Sequence, residues 1–161
     1  LPKGSEELAL GRVDKFRHAN GTIKTAQIRL DMQRTMQKHA AVFRDTQLLD
    51  EGKLAIDQVA ARIADVRITD RSMIWNTDLI ETLELDNMLP QAVVTMHSAS
   101  NRHESRGAHM HESYPDRNDA EWMKHTLVWR EGAGVRIDYR PVHEYTLTDE
   151  IEYIKPKARV Y

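Results

Sequence analysis

The hydrophobic period of this chain changes once, and that change limits what it can fold into. Before His125, apolar residues recur every three or four positions; after it, they alternate with polar ones. The first pattern is that of helices burying one stripe, and the second that of a strand with one covered face. "VRIDYR" places Val135, Ile137 and Tyr139 opposite Arg136, Asp138 and Arg140. With "TLVWR" before it and the turn segment "EGAG" between, it predicts a β-hairpin.

The helical part divides at its breakers. "GSEELALGRVDKFRHANG" predicts a helix capped by Ser5, with Glu6 and Glu7 at its positive end, Leu8, Val13 and Phe16 near one face, and a stop at Asn20-Gly21. A second helix is expected from a cap at Thr25, with a stripe of Ile28, Met32, Met36, Ala40 and Phe43. A third is expected to start near Asp50 or Glu51 and to bury Ile56, Val59, Ile63 and Val66. From Asn76 or Thr77 onward, Leu79, Ile80, Leu83, Val93 and Met96 supply apolar faces for one or two helices. Pro90 predicts a break or kink near Asp86 to Pro90, because it lacks an N–H and clashes with the preceding turn. Asn118 and Glu121 form a capping pair for a short helix through Trp122 and Met123. The end, "IEYIKPKARVY", is expected to be extended on the surface.

The fold expected is therefore mainly α: an antiparallel three- to four-helix bundle, then a small β-hairpin and an extended C-terminal tail. Residues 1–117 form the bundle and a polar loop; residues 118–161 add the short helix, hairpin and tail to the same domain. The absence of an initial Met points to a piece of a longer chain or a processed product.

Composition narrows the chemistry. The chain has 161 residues and a formal net charge of -2, which gives no reason to expect nucleic acid or an anionic membrane as a partner. It has no cysteine, so disulfides, thiolate catalysis and Cys-ligated metal centres are excluded within it. No apolar run approaches the ~20 residues that span a bilayer. The glycines form neither GxGxxG nor GxxxxGK[ST], and the lone Gly132-Ala133-Gly134 falls in the hairpin turn.

Chemistry, if present, concentrates in "NRHESRGAHMHESYPDR", residues 101–117. His103, His109 and His111 with Glu104 and Glu112 are residue types that bind zinc, yet their spacing matches no helix-borne metal motif. Ser105, His109 and Asp116 are the right types for a hydrolytic triad, without a GxSxG elbow. Arg102, Arg106 and Arg117 are able to clamp an external carboxylate or phosphate, or else to hold carboxylates and carbonyls of neighbouring elements; the second is the commoner role for arginines beside a glycine. Trp75, Trp122 and Trp129 suit either a covered surface or ordinary packing.

Several of these segments resemble a known family. "TAQIRLDMQRTMQKHAAVFRD", "TDLIETLELDNML" and above all "NRHESRGAHMHESYPDRNDAEWMKHTLVW" are similar to the C-terminal helical domain of the succinate dehydrogenase flavoprotein subunit, in the family that includes fumarate reductase and L-aspartate oxidase. "VRIDYRPVHEYTLTDEIEYIKPKARVY" resembles the succinate dehydrogenase branch. The resemblance implies a piece of an oxidoreductase that converts succinate to fumarate and passes electrons through FAD and an iron–sulfur subunit to quinone. It implies that FAD belongs to the full-length subunit, and that this fragment holds no cofactor, no metal and no catalytic residue. It also implies partners: the flavin-binding domain of the same subunit, the iron–sulfur subunit and, indirectly, membrane anchor subunits. The implied location is peripheral, on the cytoplasmic face of the bacterial inner membrane or the matrix face of the mitochondrial one. The matching positions Glu104, Ser105, Arg106, Gly107, Ala108 and His109 become a candidate docking loop, with Gly107 turning the chain out of a helix that ends near Arg102. Pro90 and Met110-His111 depart from the family pattern. The reading from residues alone keeps a second possibility, an autonomous His-rich metal-binding or adaptor domain.

Overall fold

A computed structural model describes residues 2–157. Four long helices occupy its first two thirds: α1 (Ser5–Arg17), α2 (Thr25–His39), α3 (Thr46–Ala61) and α4 (Thr77–Asn101). A short α5 (Asp119–Trp122) follows. Two strands, β1 (Ile23–Lys24) and β2 (Val66–Arg67), pair in parallel, with Ile23 opposite Val66. Strands β3 (Lys124–Glu131) and β4 (Gly134–Pro141) form the expected antiparallel hairpin, Val128 opposite Ile137, around Gly132 at φ 60°. The mainly helical architecture with its terminal hairpin agrees with the sequence.

The core lies where α2, α3 and α4 meet. Ile28 and Met32 of α2, Leu49, Ile56 and Val59 of α3, and Leu85, Leu89, Val93 and Met96 of α4 are all buried. Helix α3 lies close against its neighbours at Gly52. A Cβ there would lie 2.6 Å from the His39 Cβ and 2.7 Å from the Met96 sulfur, so only glycine fits. Helix α1 buries Phe16 in the core and is tied to α4 by Arg12, whose Nε donates to Asp86 (2.7 Å) and whose Nη2 donates to Asn87 (2.7 Å).

Several boundaries differ from expectation. Gly4, at φ 82°, is the N-cap of α1; the Ser5 hydroxyl instead donates back to the Pro2 carbonyl (2.7 Å). Helix α1 ends at Arg17, before Asn20-Gly21, because residues 20–22 are drawn into bonds with residues 65–67. Thr25 does not cap α2 but is its first residue, buried. Thr82 donates to the Asp78 carbonyl, so the Thr25 hydroxyl is left to donate to Thr82 (2.6 Å). Phe43 lies past the end of α2 and is exposed. Helix α3 starts at Thr46, where the Asp45 side chain accepts from the Leu48 N–H (2.7 Å), rather than near Asp50 or Glu51. Ile63 lies in a 3-10 turn and Val66 in β2, so the apolar series outlasts its helix.

Helix α4 is continuous for 25 residues through Pro90, and no break appears between Asp86 and Pro90. The burial of Leu85, Leu89 and Val93 on both sides of the proline holds the helix together there. The Asn76 cap on the Leu79 N–H (2.8 Å) and the Asn118 cap on the Glu121 N–H (3.2 Å) are as read from the sequence. Residues 142–157 have no regular secondary structure; the expected extended tail continues into 158–161, outside the described residues.

Candidate functional site

The polar segment begins where α4 stops. Its centre is Glu104, whose side chain is fully buried. A lone carboxylate there would be costly unless paired and hydrogen-bonded, and Glu104 is both. Arg106 donates to it bidentately, Nε to Oε1 (2.8 Å) and Nη2 to Oε2 (3.0 Å). Arg102 donates to Oε1 and the Asn118 N–H to Oε2 (3.0 Å). Burial alone would push this carboxyl up. The donors outweigh it, so the group titrates below its ordinary value and stays ionised.

The two arginines tie this carboxylate to later elements. Arg102 also donates to the carbonyls of Trp122 (3.0 Å) and Lys124 (2.5 Å), fixing the start of β3 to the end of α4. Arg106 reaches Asp119 of α5 (2.6 Å), which Arg117 also holds (2.7 Å). Hydrogen bonds from Arg117 and Arg106 depress the Asp119 pKa strongly. All three arginines therefore bond to carboxylates of their own chain.

The histidines are set by the same framework. His109 Nε2 faces the Arg102 carbonyl (2.9 Å), which can only accept, and its Nδ1 faces Arg44 Nη1 (3.0 Å), which can only donate. The ring is thus neutral with its proton on Nε2. Burial, followed by the charges of Arg44 and Arg102, lowers its pKa, and the bond to Arg102 only partly opposes this. His111 is buried and its pKa is likewise lowered by burial and by His109 and His103. His103 stacks on Tyr114, with centroids 4.7 Å apart.

These contacts test the candidate chemistries. Among the described residues no three His, Asp or Glu side chains are grouped to hold a metal ion, and both His109 nitrogens are taken. The Ser105 hydroxyl bonds to the Tyr114 carbonyl (2.9 Å) and receives the His111 N–H (2.9 Å), while Ser105 N–H donates to the Asp116 carbonyl (3.1 Å). Ser105, His109 and Asp116 therefore do not form a triad. Arg106 and His109 exchange two backbone bonds (2.8 and 3.0 Å) around Gly107, at φ 58°. Gly107 thus folds the loop on itself well after α4 has ended, rather than turning the chain out of the helix. Gly107, Ala108 and Met110 form the exposed tip. Of the tryptophans, Trp122 is buried, Trp129 lies under Arg136, and Trp75 is 94% exposed at φ 51°.

Sequence reasoning missed Arg44. It lies between α2 and α3, and only the fold brings it to His109. Its Nε donates to the Ala41 carbonyl (2.7 Å). Its backbone carbonyl receives the Glu112 N–H (2.6 Å).

The comparisons with known proteins agree with this architecture. Residues 29–161 match the family described as fumarate reductase flavoprotein C-term. The chain is 56% identical over its whole length to the succinate dehydrogenase flavoprotein subunit of Rickettsia felis, covering 27% of that protein. It is 52% identical to the mitochondrial succinate dehydrogenase flavoprotein subunit of rice, of which it covers 26%. In three dimensions 94% of the chain superposes on 27% of an E. coli quinol fumarate reductase chain, with a TM-score of 0.82 and 32% identity. The chain thus spans about a quarter of the length of the relatives it matches. A domain of this helical fold, with its ion-paired loop and terminal hairpin, belongs to the family of C-terminal domains of succinate dehydrogenase and fumarate reductase flavoprotein subunits.

Proposed function

We propose that this chain is the packing and docking domain of a flavoprotein subunit that oxidises succinate to fumarate, and that it carries no catalytic group. FAD and the reacting residues belong to the rest of that subunit, and electrons pass through an iron–sulfur subunit to quinone. Residues 1–117 and 118–161 act as one domain, supported by the Asn101 bond to the Tyr139 hydroxyl (2.5 Å) and by the reach of Arg102 to β3. No helix among the described residues is long and apolar enough to cross a membrane. The domain reaches the cytoplasmic or matrix face of its membrane only through the assembled complex.

The observation that carries this reading is the inward closure of residues 102–119. Glu104, Ser105, Arg106 and His109 spend their polar atoms on the chain itself. That arrangement holds a loop surface in one shape, as a docking surface requires, and leaves the tip at Gly107 and Ala108 for contact. The loop 104–109 therefore faces the flavin domain or the iron–sulfur subunit. Arg106→Ala in the complete subunit is expected to lower recovery of the assembled complex several-fold, with FAD content falling only as far as assembly falls. Normal assembly with this substitution would defeat the docking role.

A further inference from the structure

A cavity of about 600 Å3 opens beside the docking loop, between the C-terminal half of α4, the loop and the start of β3. Its walls include apolar Val94, Ala99, Trp122 and Val142. Its charged lining is cationic, Arg44, Arg102, Arg106 and Lys124, beside the neutral His109 and the hydroxyls of Thr95, Ser98 and Thr126. Among the described residues no Asp or Glu lines it.

The charges are not equally answered. Arg102 and Arg106 meet Glu104, and Arg106 also meets Asp119. Among the described residues Arg44 and Lys124 meet no carboxylate. Arg44 has only the Ala41 carbonyl and His109 Nδ1. Lys124 lies over the rings of Tyr139 (3.9 Å) and Trp122 (4.8 Å). Burial already pushes the Arg44 guanidinium below its ordinary value. Arg106 and His109 belong both to the cavity wall and to the docking loop, so a polypeptide seated on the loop covers the cavity mouth. Covering it would take Arg44 and Lys124 further from water, which is costly without a counter-charge.

We propose that this cleft is the socket for an acidic side chain of the polypeptide that docks on loop 104–109, its carboxylate seated between Arg44 and Lys124. The inference rests on the docking reading and names the chemistry its partner must bring. A cleft of this size holds a side chain with its flanking backbone.

Zero-length carbodiimide coupling of the intact complex tests it. The reagent activates a carboxyl, and an adjacent amine displaces it to form an amide. The expected product joins Lys124 Nζ to an Asp or Glu outside residues 1–161. Lys124→Arg should abolish that product, and Arg44→Gln should lower its yield several-fold and make the complex dissociate at lower salt. Lys124→Gln, which loses the charge over Tyr139 and Trp122 but no side-chain hydrogen bond among the described residues, should weaken assembly far more than it lowers the thermal midpoint of this chain. If Lys124 couples only within residues 1–161, the socket is wrong. Protection of Lys124 by sodium acetate without any cross-link would assign the cleft to a small acid and also overturn it. In either case Arg106→Ala decides the docking role separately, because that substitution breaks the loop whether or not the cleft is filled.

Discussion

Glu104 is the residue on which the polar segment turns, since it holds α4, α5 and the loop through four donor groups on Arg102, Arg106 and Asn118. Glu104→Gln keeps the shape but leaves the half-buried Arg102 without its carboxylate and Arg106 with Asp119 alone. It should cost about 3 kcal/mol, measured by denaturant unfolding. The same cluster sets a pH dependence. His109 and His111 have lowered pKa values in the fold, so the unfolded chain binds protons first and stability falls as pH drops below about 6.5. Glu104 adds a second loss below about 4.5, as pH falls towards its depressed folded pKa. Thermal midpoints should therefore decline from pH 7.5 to 5, and His109→Gln, which can replace both hydrogen bonds, should flatten part of that decline. At this scale the sequence was legible where a rule is local. Asn76 and Asn118 each cap an N–H three residues on. It was not legible where partners are distant: the carboxylate counted as a possible metal ligand is the buried centre of an ion cluster, and Arg44 is 65 positions from His109.

Elements were recognised by their periodicity and misplaced by their ends. Helix α3 begins several residues early because Asp45 caps the Leu48 N–H, while Asp50 is engaged with Ser100 and Lys53. Pro90 does not end α4, since the apolar contacts on either side outweigh one missing backbone bond. Asp86, Pro90 and Arg130 line a cavity of about 100 Å3 at that point, space enough for water to serve the freed carbonyl. Helix α3 meets His39 and Met96 closely at Gly52, which the sequence marked only as one glycine in a helical stretch. Gly52→Ala should cost about 2 kcal/mol through overpacking against His39 and Met96. A double-mutant cycle with Met96→Ala should be non-additive, because shortening Met96 removes one of the clashing atoms.

For the whole molecule, the succession of bundle, loop and hairpin followed from the change in hydrophobic period, while the docking surface rested on resemblance. The surface carries more apolar area than packing explains: Leu10, Met73, Ile74, Trp75 and Ile80 are all more than half exposed around one side of α1 and the start of α4. Such a patch on a free-standing chain favours association. Sedimentation of the 161-residue chain should show concentration-dependent self-association that Trp75→Ser reduces. A monomer at every concentration would refute that expectation. The small parallel pair β1–β2 has a consequence of another kind. It joins positions 43 apart, the Thr22 N–H meeting Asp65, and so ties the two ends of the α2–α3 unit together. Those contacts reward the chain only after the intervening helices have found each other. The clip therefore couples α2 to α3, and the cost of closing the chain between them is recovered only once both helices are in place.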